Sequence, residues 1–522
     1  MFSISSLRRA VLYLFFTITT VSLVRPDVHG QTVSATAASV NGVHRLLVIY
    51  RNGSIPGDAE GAAVRAGGHL LRRHERLGTA LLTGTSAAES ALKLDPRVEF
   101  VVEDRVVTAS SVVTRLETDG SSATRTAPIL RANVPRATPR DDGADSFYRD
   151  SAQGWAVRAV GAMGGGVAGS GVAGPWATTT GKGVRIAILD SGVDRAHPDI
   201  APNLALSMTE INQAVQPSVC DDGSPQDQSG HGTWVASLAA GAAGSGTGRM
   251  VGVAPEAVLL NIKVMQRMPG DGNSTAAQCN AGQASGLLSW VLQGVEDAIA
   301  QRADVIVMSM SVTLDLYSGD AAGLKASFDR VTHAAADAGA VVVAAAGNDA
   351  FDFTNTRYLA LPAQSRDVLA VVASTNPDCA QNLVTNATCV AGVPTLAYYS
   401  NLGAPLHAVG APGGSYPAGG DESVSGWVRG ACSNGQPNTV DGVPTDANHS
   451  EGCFNLGHVP YVQALGTSAS APLAAGVVAL VRAAHPEWSA ATVLAAVRAS
   501  AVPTASMAYG VVNAAAALAY RP

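Results

Sequence analysis

The chain has 522 residues, 47% of them apolar and only 14% charged, with a formal net charge of −7. That apolar content excludes wholesale disorder, which needs low hydrophobicity and high charge. The acidic balance excludes a nucleic-acid binder that works through a basic surface. At roughly 150 residues per domain, the length implies two to four units.

Arg8 and Arg9 precede an apolar run over 10–24 that Arg25 closes. As a helix this run rises about 22 Å, short of a hydrocarbon core of roughly 30 Å. With small residues near 28–30, residues 1–30 read as a secretory signal cleaved after Gly30; an uncleaved anchor is the alternative. The expectation is an extracellular protein, with the periplasm at most a place of transit and no membrane association after signal removal. Only four lysines (Lys93, Lys182, Lys263 and Lys325) stand among many arginines, a bias that reads as GC-rich bacterial coding.

Over 44–107, short apolar runs (46–50, 70–71, 80–82, 100–102) alternate with Ala-rich helical pieces at 59–66 and 86–94. This predicts a small α+β domain, assigned with its leading residues to 31–107. Residues 108–148 are rich in Thr, Ser, Arg, Pro and Asp, without apolar periodicity, and predict an exposed linker open to proteolysis. From 149 to 522 the pattern changes. Apolar runs at 184–189, 258–264, 305–310, 341–346 and 368–372 are interleaved with helical stretches at 231–242, 285–301, 322–338, 468–484 and 490–499. Strands apolar throughout and spaced by helices predict a doubly wound α/β domain with a parallel sheet covered on both faces. Sites in such sheets form at the carboxyl ends of strands.

Six cysteines in an exported chain imply three disulfides among fifteen pairings. Sequence proximity favours Cys379–Cys389 and Cys432–Cys453, leaving Cys220–Cys279; free buried thiols are the alternative. No Cys/His spacing matches a zinc site.

Three polar segments stand at predicted strand ends or helix starts. Asp190-Ser191-Gly192 follows the run 184–189, His231 opens a helix within Ser229-Gly230-His231-Gly232-Thr233, and Gly466-Thr467-Ser468 opens another. Taken singly, each reads as a turn or a cap. Together they supply a serine hydroxyl, the imidazole needed to deprotonate it and a carboxylate to fix the imidazole tautomer. The helix N-terminus at Ser468 also favours developing negative charge.

These segments resemble the subtilisin-like serine peptidases. The aspartate motif continues through Val193-Asp194 to His197-Pro198-Asp199, the histidine motif is His231-Gly232-Thr233-x-Val235-Ala236, and the serine motif runs from Gly466-Thr467-Ser468 to Pro472 and Ala475-Gly476. The order Asp, His, Ser is that of subtilisin. Lesser matches at 252–255, 400–403, 411–413 and 509–514 extend the resemblance over roughly 150–520. It implies a Ser468 nucleophile, a His231 base, an Asp190 orienter and, from Ala344-Ala345-Ala346-Gly347-Asn348, an oxyanion-hole donor at Asn348. Substrate backbone would lie along Ser309, Met310 and Ser311 and against Ala345 and Gly347. Polypeptides are the implied substrates, through an acyl-enzyme intermediate. No catalytic cofactor is implied, while structural calcium, common in the family, has candidate oxygens at Asp221-Asp222-Gly223 and Asp271-Gly272-Asn273.

The sequence departs from the family pattern at Trp234, Ser237, Leu473, Ala474 and Ser311. Asp349 is a candidate for the rim of the pocket taking the residue before the cut, with a solvated acid as the alternative. Extra loops at 266–284, 376–396 and 414–460 hold every cysteine except Cys220 and are expected to rim the cleft. Residues 44–107 resemble the family's inhibitory propeptide, which makes the chain's own N-terminal domain its first partner; a permanent accessory domain is the alternative. Two rival functions remain: an acid peptidase of the sedolisin type, against which His231 and Asn348 argue, and a non-catalytic surface module on the same scaffold.

Overall fold

A computed structural model describes residues 42–109, 154–163, 174–354, 357–375, 394–414, 427–437, 439–441 and 453–522. The signal segment, nearly all of the linker and the Cys379–Cys389 pair lie outside the described residues.

The N-terminal part contains β1 (His44–Tyr50), α1 (Ala59–Arg65), β2 (His69–His74), β3 (Thr79–Gly84), α2 (Ser86–Lys93) and β4 (Val98–Glu103), with an antiparallel sheet in the order β2-β3-β1-β4. Strand β1 is buried on both faces. Leu46 and Val48 join a core with Ala63 and Leu82, while Leu47 turns into a core shared with the rest of the chain. A sheet apolar on both sides needs a second cover, and the larger domain supplies it. The chain then continues into β5 (Val106–Ala109), so the strand takes the first two residues assigned to the linker.

The larger domain follows the doubly wound plan. In chain order it includes α3 (Trp155–Ala159), β6 (Arg185–Asp190), β7 (Leu204–Thr209), α4 (His231–Ala240), β8 (Val258–Lys263), β9 (Gln266–Met268), α5 (Thr275–Asn280), β10 (Gln283–Leu287), α6 (Leu288–Ala300), β11 (Val305–Met308), β12 (Met310–Asp315), α7 (Ala321–Asp337), β13 (Val341–Ala345), β14 (Tyr358–Leu361), β15 (Val368–Thr375), β16 (Thr395–Leu396) and β17 (Val409–Pro412). After these come β18 (Val428–Ala431), β19 (Thr439–Asp441), β20 (Cys453–Leu456), β21 (Val459–Ala464), α8 (Thr467–Ala484), α9 (Ala490–Ala499), β22 (Val502–Thr504), β23 (Met507–Val511) and α10 (Ala514–Leu518).

The main sheet runs β22-β23-β17-β15-β13-β11-β6-β8-β7, parallel from β23 to β7, with β16 against β15. Its unbroken apolar runs are explained by burial on alternating faces. Ile186, Ile188, Val305, Val307, Val341 and Val343 enter the core with α4 and α8, whereas Ala187, Leu189, Ile306, Met308, Val342 and Ala344 enter the core with α6 and α7. Helix α8 is long and apolar enough to cross a bilayer, but 89% of it is buried inside the fold.

From β6 the chain crosses to the edge strand β7, returns to β8 and then passes to β11 on the other side of β6. The strand order therefore reverses between β6 and β8, and Asp190 stands at the carboxyl end of β6, the position where such folds place their sites.

Three regions differ from expectation. The predicted helix over 285–301 begins only at Leu288, because 283–287 is recruited as strand β10 by pairing with β9 and β5. The run 305–310 breaks at Ser309 into β11 and β12. The insertions at 266–284 and 414–460 carry structure of their own, including a sheet in the order β18-β21-β20-β19.

Candidate active site

His231 is the first residue of α4 and Ser468 lies in the first turn of α8, and these two helices pack side by side. Asp190 Oδ1 accepts the Ser191 amide at 2.7 Å and lies 2.7 Å from His231 Nδ1. Burial disfavours a charged imidazole. The Asp190 carboxylate, through its charge and its hydrogen bond and with Asp227 behind it, outweighs that and raises the His231 pKa above the ordinary 6.5. With Nδ1–H committed to Asp190, Nε2 carries the ring's lone pair; it is buried and has no hydrogen-bond partner among the described residues. Ser468 Oγ donates to Ser309 O at 3.4 Å.

Ser309 meets Ser468 through both its hydroxyl and its carbonyl. Pro472, four residues beyond Ser468 in α8, has no N–H to give the Ser468 carbonyl. Ser309 Oγ donates to that carbonyl at 3.2 Å. Asn348 follows Gly347, whose φ of +100° belongs to the glycine-favouring region and whose place a Cβ would bring within 2.4 Å of Asn401 Nδ2. Asn348 Oδ1 accepts from Thr467 N at 2.9 Å and Thr467 Oγ1 at 2.8 Å. Because the amide is planar, this turns Nδ2 away from Thr467.

The groove is defined by main chain. Strand β5 lies between β10 and β12, with Thr108 opposite both Ser285 and Ser311 and Ala109 opposite Met310. Met310 and Ser311 thus bind an extended segment, here one from the N-terminal domain. Ala345 ends β13, and Ser311 Oγ borders Gly347. Asp349 is half-buried, with Oδ2 3.5 Å from Thr313 Oγ1, and burial pushes its carboxyl up; it is not a fully solvated acid.

The N-terminal domain docks on α6 and α7. Asp104 Oδ1 accepts the Ser289 amide at 2.8 Å in the first turn of α6, and Arg45 Nε holds Oδ2 at 2.9 Å. Arg330 on α7 donates to Tyr50 O at 2.8 Å, Leu77 O at 2.9 Å and Glu99 at 2.7 Å. His74, fully buried, lies 2.7 Å from Glu296, and Arg72 reaches Glu210, whose carboxyl is pushed up to about 7 by burial and by Asp297 beside it.

Asp227, a buried residue that joins the Asp190 and His231 loops, was missed by the sequence reading. Fully buried, it accepts from Ser191 Oγ, Ser229 N and Gly230 N on one oxygen and from Thr233 N and Oγ1 on the other, all within 2.7–2.9 Å. It ties the aspartate loop to the start of α4. Its signal was an acid just before a helix start, where free N–H groups need acceptors.

For structural calcium, the segment 221–223 does not fit. Lys263 Nζ donates to both Asp221 oxygens at 2.9 Å, to Gln226 O at 2.8 Å and to Gln228 Oε1 at 2.7 Å, so an ammonium already fills and balances that oxygen cage. Among the described residues, no group of three or more His, Cys, Asp or Glu side chains is placed to hold a metal ion. The disulfides Cys220–Cys279 and Cys432–Cys453 are formed.

Residues 181–516 match the Subtilase family. The chain belongs to that family. It is 28% identical over 316 residues to the serine protease AprX of Bacillus subtilis, covering 59% of each chain. It is 32% identical over 199 residues to an intracellular serine protease of Paenibacillus polymyxa, covering 38% of this chain and 51% of that one, so it spans about half the length of such curated relatives. Fervidolysin of Fervidobacterium pennivorans shares the fold with a TM-score of 0.57 at 19% identity, over 93% of this chain and 62% of that one. The epidermin leader peptide processing protease of Staphylococcus aureus does so at 0.60 and 17%, over 91% and 98%.

Proposed function

We propose that this subtilase is an exported serine endopeptidase, made as a precursor whose N-terminal domain, 31–107, inhibits it until the enzyme cuts the following segment itself. The observation that carries the reading is the 2.7 Å Asp190–His231 contact at the head of α4, beside the helix that carries Ser468. Ser468 Oγ attacks the substrate carbonyl as His231 Nε2 takes its proton, and Asp190 stabilises the imidazolium. The oxyanion receives Asn348 Nδ2 and the Ser468 N–H. The imidazolium then protonates the leaving amine, and a water activated by the same Nε2 releases the acyl group. The buried Asp190–His231 pair speaks for this chemistry over the acid-peptidase alternative.

The occupied groove supports self-inhibition. An extended segment held as β5 between β10 and β12 takes the place of substrate backbone, and the docked Asp104 and Arg330 contacts keep it there. The self-cut is expected within a few residues after Ala109, inside 108–148. N-terminal sequencing of the secreted wild type and of Ser468→Ala tests this. The wild type should begin just beyond Ala109, and Ser468→Ala should stay joined and resist labelling by a sulfonyl fluoride. An identical mature terminus in both proteins, or no labelling of the wild type, refutes it.

A further inference from the structure

The sheet formed by β18–β21 has no counterpart among the motifs that define the site, yet its contacts converge on the two loops that carry Asp190 and His231. Gly230, the residue before His231, has φ +86° and rests against the Cys432–Cys453 bridge. A Cβ there would stand 2.7 Å from Cys432 Sγ and 3.3 Å from Cys453 Sγ. Beside the bridge, Ser433 Oγ donates to the Asp227 carbonyl and receives Gln226 Nε2 at 3.1 Å. Asn434 N and Nδ2 hold Asp194 Oδ2 at 2.8 and 3.1 Å.

The same sheet grips α4 one turn further on. Trp234 Nε1 donates to Val428 O at 3.2 Å, and the Ala431 amide donates to Ser237 Oγ at 3.0 Å. Trp234 in turn stands edge-on to the His231 ring at 6.0 Å between centroids. The far end of the sheet belongs to the nucleophile. Strand β18 pairs with β21, from Val428 opposite Ala464 to Ala431 opposite Tyr461, and β21 runs through Leu465 and Gly466 directly into Ser468. Cys432 N also bonds Pro460 O at 2.9 Å. One small sheet therefore spans from the entry of the nucleophile to the turn that presents its base.

We propose that the Cys432–Cys453 crosslink, with Ser433 and Asn434, is a positioning element that fixes the Gly230–His231 turn relative to Ser468. This rests on the reading of His231 as the base for Ser468. Proton transfer from Oγ to Nε2 is sensitive to placement, and a displacement of about 1 Å costs on the order of 100-fold in rate. The bridge touches neither the groove residues of β12 nor Asn348 in any contact described above. Its loss should therefore act on the chemical step and spare the binding of peptide.

The test is the processed Cys432→Ser/Cys453→Ser enzyme, assayed on a peptide amide with active sites counted by sulfonyl fluoride labelling. Per labelled site, kcat should fall about 10- to 100-fold while KM changes little. The rate of labelling should fall in the same proportion, since it too depends on His231. If the double variant yields no folded enzyme, Ser433→Ala, which keeps the bridge, decides by the same measure with a smaller loss. An unchanged kcat per labelled site, with only a lower melting temperature or fewer active sites, overturns the proposal. Failure of the wild type itself to be labelled would overturn the functional reading first.

Discussion

Replacing Lys263 by Met tests whether an internal ion pair holds the segment that leads to His231. Lys263 and Asp221 have no exposed side-chain surface, and the ammonium serves four oxygen acceptors at 2.7–2.9 Å. Removing one member of such a pair leaves an uncompensated buried charge, typically at a cost of about 3–5 kcal/mol. Asp221 would keep the amides of Gly223 and Arg267, each at 2.9 Å, which places its share at the low end, about 3 kcal/mol. Gln226 O and Gln228 Oε1 each lose a donor, about 1 kcal/mol apiece. The expected total is about 4–5 kcal/mol. It is measured by urea unfolding of the Ser468→Ala precursor, in which self-digestion does not intervene. Adding Asp221→Leu removes the orphaned charge but strands the Gly223 and Arg267 amides, about 1 kcal/mol each, so it should restore only about 1 kcal/mol of the loss. A single-variant loss below about 1 kcal/mol, the range of a hydrated surface pair, would refute the burial argument, as would a double variant no better than the single.

The pH profile follows from the raised His231 pKa. The base works only when neutral, so activity is lost as pH falls through that pKa, and half-maximal activity in acid should lie above 6.5; full activity near pH 4 would contradict the histidine mechanism. Asn348→Ala should lower kcat by about 10²–10³, the loss measured for the equivalent donor in subtilisin, with little change in KM; a change confined to KM would remove Asn348 from the oxyanion hole.

What the sequence revealed and what it hid divide along a physical line. The central strands β6, β8, β11, β13 and β15 were legible because residues such as Ile186 to Leu189 are apolar at every position, the mark of burial on both faces, whereas the outer strands β7, β17, β22 and β23 were not read. The segments at Asp190, His231 and Ser468 were legible because each sets a polar side chain within two residues of a glycine at a strand end or helix start. Strand β10 was not. Gln283-Ala284-Ser285-Gly286-Leu287 lacks β-branched residues, and only the flanking strands β5 and β9 hold it extended. Asp227 was hidden because one acid among Ser and Gly looks like any loop until its donors are counted.

Trp234 and Ser237 lie between these cases. Both stood out as departures from the family pattern, but the groups that account for them are about 190 residues away. A buried indole N–H needs an acceptor and a buried hydroxyl needs a partner. Val428 O and the Ala431 amide supply both, and Gly430 leaves room for the indole, since a Cβ there would lie 2.4 Å from Trp234 Cδ1. The indole relies on β18 for its acceptor, whereas Ser237 Oγ also donates to Trp234 O at 2.7 Å within α4. In a subtilase without this insertion, the same two positions would face neither that carbonyl nor that amide of β18, and smaller or less demanding side chains are what burial would then require. Trp234, Ser237 and β18 are thus a single structural decision, made in two distant parts of the chain and joined across the helix that begins with His231.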